Sequence, residues 1–299
     1  MPKTSVLIPL YRSSRFYDVI RDNIEALLDC DVEIVLSDRN GDETLFGRLA
    51  WRFGRHPKIR FLKASDDGDW IDNANALIAA AEGEYVRILP HDDSAGAEDL
   101  AALEAVLDAA PEAVLAFGRV LAIAPDRTRL PGRDQLNAAE ERAGRDWTIS
   151  DAAPLFWTGR FAGAFKGLVR TRTIRERDLA IRKTATGANS ERCWLFGLAL
   201  AGAFRVAPGS TLVKRYYAES TSRSWRRTPE TIRDAARTMA GYARSQIADP
   251  DVRAYVEADL EENARRRAEA AAEGRPPPPY EPRRDDGEPP FRSRAAPVA

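Results

Sequence analysis

Across the first 118 residues, short apolar runs alternate with segments whose apolar positions recur every three or four residues. Ser5 to Pro9 reads as a buried strand, after which Phe16, Val19, Ile20, Ile24, Leu27 and Leu28 fall on one helical face. Val32 to Leu36 is a second strand. Glu43 to Phe53 gathers Leu45, Phe46, Leu49 and Phe53 on one side of a helix, and Ile59 to Leu62 is a brief third strand. A helix carrying Trp70, Ala74, Leu77, Ile78 and Ala81 ends near Gly83 and gives way to a fourth strand, Tyr85 to Leu89. Leu100, Leu103, Val106 and Leu107 form another helical face before a fifth strand at Ala113 to Phe117. Strands and helices in strict alternation predict a mainly parallel sheet with helices on both faces. In such sheets ligands bind beyond the carboxyl ends of the strands.

The second half is less regular. Residues 125 to 160 are loop-rich, with a short helix around Leu136 to Ala143, followed by the strand-like FKGLVRT (165 to 171) and a helix from about Glu191 to Ala201. RVAPGSTLVKRYY (205 to 217) is a further strand candidate. Thr228 to Ile247 and Pro250 to Ala272 read as two polar helices. The second, rich in Glu and Arg and poor in large apolar residues, is expected to protrude or to pair with a partner. From Glu273 the composition shifts to a proline-rich sequence expected to form a disordered tail. This divides the chain into a main domain at 1 to 220, a helical extension at 221 to 272 and a tail at 273 to 299.

Composition narrows the function classes. With 44% hydrophobic and 30% charged residues the chain reads as an ordinary globular protein. Its 45 basic and 46 acidic side chains leave a formal charge of -1, so no global field draws it to nucleic acid or to an acidic membrane. Cys30 and Cys193 sit among apolar neighbours without metal-ligand spacing, as free thiols do in a reducing compartment. The opening MPKTSVLIPLYR is too short an apolar run for a signal peptide or a membrane span, so the expected location is cytoplasmic, with peripheral membrane contact at most. His56 and His91 are the only histidines, which excludes a multi-histidine metal site.

The first glycine is Gly41, so the turn after the first strand is neither a dinucleotide fingerprint nor a phosphate-binding P-loop. The strand ends are acidic instead: Asp38 after the second strand, and Asp92 with Asp93 after the fourth. Carboxylates alone repel a phosphorylated ligand, so phosphate binding at this rim calls for a divalent cation between the two. The plainer account of the pair is a cap for the helix at Glu98 to Asp108, or a solvated turn. Asp67, Asp69 and Asp72 lack the glycine of an EF-hand loop and are not a calcium site.

The order of these pieces carries more than any one of them. SVLIPLYR, then EIVLSDRNGDET, then the asparagine-containing WIDNANALIAAAEGEY, then VRILPHDD resembles the nucleotide-sugar-binding half of family 2 glycosyltransferases. The resemblance implies a GT-A-type fold, a Rossmann-like, mainly parallel mixed sheet flanked by helices. It makes 1 to 120 the nucleotide-sugar half and 121 to 220 the acceptor half. It implies that Pro9, Tyr11, Asp38, Asn73, Asn75, His91, Asp92, Lys214 and Arg215 contact the donor, a nucleoside diphosphate sugar. Asp93, with Asp92, would hold Mg2+ or Mn2+, and Glu191 would act as the base of an inverting transfer to a hydroxyl acceptor, glycan or lipid-linked.

Ser37, Arg39 and Pro90 depart from the family pattern, standing where it carries an acid, a glycine and an acid. Glu191 also suits the first turn of a helix on electrostatic grounds alone. Trp225, flanked by Arg223, Arg226 and Arg227, is the one basic-aromatic patch, either plain surface or a contact for an acidic lipid or lipid-linked acceptor. His56 reads as a loop residue, and Trp70 as core or donor-site wall. Two other readings stay open: a GT-A-like module that binds without catalysis, and a nucleotidyltransferase, against which the missing glycine-rich first loop counts.

Overall fold

The computed structural model describes residues 1–38, 43–63, 68–135, 152–158, 162–219 and 226–281. The helix expected at Leu136 to Ala143, Arg39, Arg223, Trp225 and the tail beyond Glu281 lie outside the described residues.

In chain order the strands are β1 (Thr4–Leu10), β2 (Val32–Asp38), β3 (Ile59–Lys63), β4 (Tyr85–Ile88), β5 (Ala113–Ile123), β6 (Leu168–Arg170) and β7 (Ala203–Arg215). The helices are α1 (Tyr17–Leu27), α2 (Glu43–Phe53), α3 (Trp70–Ala80), α4 (Ala97–Ala109), α5 (Ala152–Thr158), α6 (Thr171–Glu176), α7 (Ser190–Ala201), α8 (Pro229–Gln246) and α9 (Pro250–Ala272). Side chains alternate across the pleat: β1 sends Val6, Ile8 and Leu10 to one face and Leu7 to the other. Both faces are apolar because both are covered. Ile20 and Ile24 of α1, Leu45 and Leu49 of α2, and Leu100 and Leu103 of α4 pack on the first face. Leu77 of α3, Trp194 and Phe196 of α7, Tyr242 of α8 and Leu260 of α9 share the core on the second.

The seven strands form one sheet in the order β3-β2-β1-β4-β6-β5-β7. β3, β2, β1 and β4 are parallel, as the alternating pattern predicts. Beyond β4 the expectation fails in one respect. β6, only three residues of the predicted FKGLVRT strand, slips between β4 and β5 and runs antiparallel to both. So short a strand holds its place through buried Arg170, which donates to Ala113 O at 3.2 Å and to Leu107 O at 3.0 Å. β5 runs past Phe117 to Ile123 because β7 pairs with it in parallel as far as Ile123 and Arg215.

Helix α9 does not protrude. Val252, Val256, Leu260, Ala264 and Ala268 recur every fourth residue and are buried. Two of those five positions are alanines, so the stripe looks weaker in the sequence than it is. Nor does the chain leave the body at Glu273: Tyr280 donates to Asp259 Oδ2 at 3.1 Å, and Asn263 Nδ2 to Glu281 O at 3.1 Å, which lays residues up to Glu281 against α9. Helices α7 and α8 approach closely because Gly197 faces a ring; a Cβ there would stand 2.6 Å from Tyr242 Cδ1. Cys30 and Cys193 are both free thiols.

Candidate active site

The Asp92-Asp93 turn is held from three sides. Leu89 still donates to Leu7 O at 2.8 Å, then Pro90 ends the strand and the Asp93 N–H closes the turn on Pro90 O at 3.1 Å. Asn23, buried in α1, donates through Nδ2 to Asp93 O at 2.8 Å and accepts from Ala95 N at 3.1 Å. Ser94 exchanges two backbone bonds with Val213 of β7, at 2.8 and 2.9 Å. The turn therefore points Asp93 inward, leaving its side chain only 1% exposed.

There its Oδ2 lies 2.6 Å from Nζ of Lys166, a side chain 12% exposed, while Oδ1 accepts the Arg215 N–H at 3.3 Å. Burial weighs most against the Lys166 ammonium, but the charge and hydrogen bond of Asp93, joined by the charges of Asp92 and Glu191, together hold the Lys166 pKa above its usual value. Lys166 is itself fixed: Arg87 Nε donates to its carbonyl at 3.2 Å, and Arg87 is locked to Asp99 at 2.5 Å in a buried ion pair.

Asp92 is half-buried, with the Tyr217 hydroxyl within hydrogen-bonding reach. Arg15 lies over the Tyr217 ring at 4.3 Å. Lys214, near the end of β7, faces Lys166, Asp93, Asp92 and Glu191; burial and then the Lys166 charge lower its pKa. Glu191 sits in the first turn of α7, behind Asn189 in the left-handed region at φ 66°, where no side chain caps the helix. Although the residue keeps some surface, its Oε2 is buried without a hydrogen-bond partner among the described residues. Burial pushes its carboxyl above the usual range, against the pull of Arg192, Lys166 and Lys214. A carboxylate so placed is a competent proton acceptor.

The other predicted residues divide. His91 Nδ1 lies 3.2 Å from Pro9 O, and its ring packs on Phe16 at 5.3 Å. Tyr11 is 42% exposed just past β1. Asp38 ends β2 in register with Leu10 and Lys63. Asn73 is buried, its Nδ2 3.4 Å from Ser37 O and its Oδ1 unpartnered among the described residues. Asn75 instead clasps the Ile181 backbone with both ends of its amide, at 2.9 Å each, tying α3 to the loop before α7. Arg215 meets Asp93 through its main chain, and its guanidinium turns to Pro125 O at 3.2 Å. Asp69 caps α3 and shares Lys183 with Asp72, a structural use of those carboxylates. Sequence reasoning missed Lys166, Asn23, Arg87 and Tyr217. The available signal was a lone cation in the apolar FAGAFKGLV and another in YVRIL.

No group of three or more His, Cys, Asp or Glu side chains is gathered for a metal among the described residues. Among the described residues the donors at this turn are Asp92 and Asp93. That suits Mg2+ or Mn2+, which take one or two carboxylates and complete their shells with water and substrate phosphate. At Asp93 such a cation meets a competitor, because Lys166 already covers Oδ2.

The family described as Glycosyl transferase family 2 matches residues 5–165. The uncharacterized protein y4gI of Sinorhizobium fredii (strain NBRC 101917 / NGR234) is 25% identical over 118 residues, which is 39% of this chain and 13% of that protein. Among solved structures, S. aureus TarS 1-349 in complex with UDP-GlcNAc superposes with a TM-score of 0.61 at 16% identity, over 88% of this chain and 72% of that one. A longer chain of S. aureus TarS gives the same TM-score of 0.61 at 15% identity, over 88% of this chain and 43% of that one. At these identities the likeness to TarS is one of fold. The match spans 13% of the length of y4gI and less than half of the longer TarS chain. With the family's pattern running over more than half of its 299 residues, and its mostly parallel sheet carrying the acidic pair at the rim, this chain belongs to glycosyltransferase family 2 and has the GT-A fold.

Proposed function

We propose that the chain transfers a sugar from a nucleoside diphosphate sugar to a hydroxyl acceptor, inverting the anomeric centre. The observation that carries this reading is the convergence of Asp92, Asp93, Lys166, Lys214 and Glu191 on one rim of the sheet. UDP is the nucleotide favoured, because TarS 1-349, of the same fold, is seen with UDP-GlcNAc. In this reading Lys214 and Lys166 set positive charge against the diphosphate. Glu191, on the acceptor side, takes the hydroxyl proton as the nucleophile attacks opposite the leaving group. A placed base is worth ~10² to 10⁴ in rate. Asp92 and Asp93 would hold a Mg2+ or Mn2+ ion, which when bound supplies charge neutralisation for the departing diphosphate. The acceptor is a glycan or a lipid-linked precursor of a polysaccharide. No described helix is long and apolar enough to cross a membrane, and the reading places the enzyme in the cytoplasm with peripheral membrane contact at most.

Family membership sets aside the nucleotidyltransferase. A module that binds without catalysis keeps one observation in its favour, the neutralisation of Asp93 by Lys166. Titration with UDP, with and without Mn2+, followed by measurement of donor turnover separates the two. The proposal expects metal-enhanced UDP binding together with turnover of a UDP-sugar. It also expects Glu191→Gln to keep UDP binding and lose most transfer. Unimpaired transfer in that variant removes Glu191 from the role, and UDP binding without turnover of any donor establishes the binding module.

A further inference from the structure

Beside the first turn of α7, a cavity of about 250 Å³ opens between α5, α7, α8 and α9, with Trp157, Asn189, Arg192, Arg267 and the exposed Arg226 and Arg227 in its wall. Arg267 is 4% exposed, an unusual burial for a residue of its kind. Its guanidinium lies 5.1 Å from the Trp157 ring centroid, and its Nε is buried with no hydrogen-bond partner among the described residues. None of the four arginines makes an ion pair with a described carboxylate; the nearby Arg266 takes Glu281 at 3.0 Å instead. Burial, and then the charges of Arg227 and Arg266, lower the Arg267 pKa to about 10. Burial and Arg192 do the same to Arg227 in direction. A buried cation left without a counter-ion is costly to a fold unless a ligand supplies the anion.

The cavity's position says which ligand. Asn189 and Arg192 belong to the cavity wall and flank Glu191 in the sequence, and Glu191 feels the Arg192 charge. Guanidinium groups recognise planar or tetrahedral oxyanions through paired N–H donors, and several of them together favour a dianion with three or four oxygens over a single carboxylate. The Trp157 ring offers a flat apolar face suited to the carbon skeleton that carries the anion.

We infer that this cavity binds a phosphoryl group on the acceptor, so that a hydroxyl of the same molecule is presented to Glu191. The inference rests on the assignment of Glu191 as the base, and it names the acceptor's class: a phosphorylated polyol or sugar, free or attached to a lipid.

Calorimetric titration of the full chain with sn-glycerol 3-phosphate tests it, repeated in saturating UDP with Mn2+. Binding that persists in the presence of UDP is the expected result; displacement by UDP would assign the phosphate to the donor rim and overturn the inference. Arg267→Met should weaken binding roughly 10- to 100-fold, the loss of a charge-assisted bond, and should melt no lower than the parent protein because an unpaired buried charge has gone. The double variant Arg192→Met/Arg227→Met gives the same reading without touching the core of α9; undiminished binding in both variants overturns the inference. Vesicles of phosphatidylglycerol form the second arm. Sedimentation with vesicles but no affinity for glycerol phosphate puts the phosphoryl group on a lipid, affinity for glycerol phosphate puts it on a soluble acceptor, and neither overturns the site. Failure of UDP to bind at all, with phosphate still bound in an Arg267-dependent way, would sink the transfer reading while leaving the anion site standing.

Discussion

Replacing Lys166 by methionine tests the electrostatics of the rim most directly. The Lys166–Asp93 pair is close, at 2.6 Å, and nearly dry, with side chains 12% and 1% exposed. Removing one partner of a buried ion pair leaves an uncompensated charge and costs ~3 to 5 kcal/mol. Lys214 also faces Asp93 and moderates the loss, so the lower end applies. A loss of ~3 kcal/mol lowers the melting temperature by roughly 5 °C in a protein of this length. Mn2+ should then return most of it, since a ligand at a hundred times its dissociation constant contributes ~2.7 kcal/mol. In the parent protein the same ion must displace Lys166 from Asp93 and should stabilise less. Adding Asp93→Asn to Lys166→Met should cost less than the two single losses together, because the orphaned charge is gone. Differential scanning calorimetry with and without Mn2+ measures all of this. A Lys166→Met protein that melts with the parent, or gains no more from Mn2+ than the parent does, would refute the pairing as the organiser of the rim.

Glu191→Gln should be more stable than the parent near neutral pH by ~1 kcal/mol, the extra cost of leaving a charged rather than a neutral group unsatisfied in the same place. Burial holds the folded Glu191 carboxyl above the usual carboxylate range, so the parent's deficit appears as pH rises through that raised value and vanishes at pH below the ordinary carboxylate range; urea denaturation at acid and neutral pH checks the sign. Asn23→Ala removes both bonds that hold the Asp93 turn and should cost about 2 kcal/mol, with weaker UDP binding by calorimetry; unchanged UDP affinity would show that the turn needs no such support. Gly197→Ala drives a methyl to 2.6 Å from the Tyr242 ring, and thermal melting should show the ~1 to 3 kcal/mol loss typical of overpacking.

Much of this fold was legible because local pattern and tertiary role agree in it. Leu45 and Leu49 mark α2 by their spacing, and Asp249 before Pro250 marks the start of α9 by its chemistry: Asp249 accepts from Asp251 N and Val252 N while the proline occupies the first turn. Asp92, Asp93, Glu191 and Lys214 were legible from their places in a longer pattern. β6 was not, because three residues become a strand only through neighbours far away in sequence. Lys166, Asn23 and Arg87 escaped for the same reason: each is a single polar residue in an apolar stretch, and its function is set by the partner it meets. Arg87 offered the strongest hint, since a charge inside a buried strand requires a counter-charge, and Asp99 supplies it from the next helix.

The unexpected strand and the unexpected lysine have a single origin. β6 runs antiparallel to β4, with Leu168 beside Arg87, so the residues just before β6 arrive at the carboxyl end of β4, where the Asp92-Asp93 turn begins. A parallel strand in that slot would have delivered Lys166 to the opposite rim. β5 runs antiparallel to β6 and parallel to β7, which restores the direction of β4 and brings Lys214 and Arg215 to the same edge. α7, the helix that feeds β7, then has its first turn at that edge, which is where Glu191 stands. One reversal in the sheet thus gathers Lys166, Lys214 and the carboxyl of Glu191 around the Asp92-Asp93 pair that ends the parallel half.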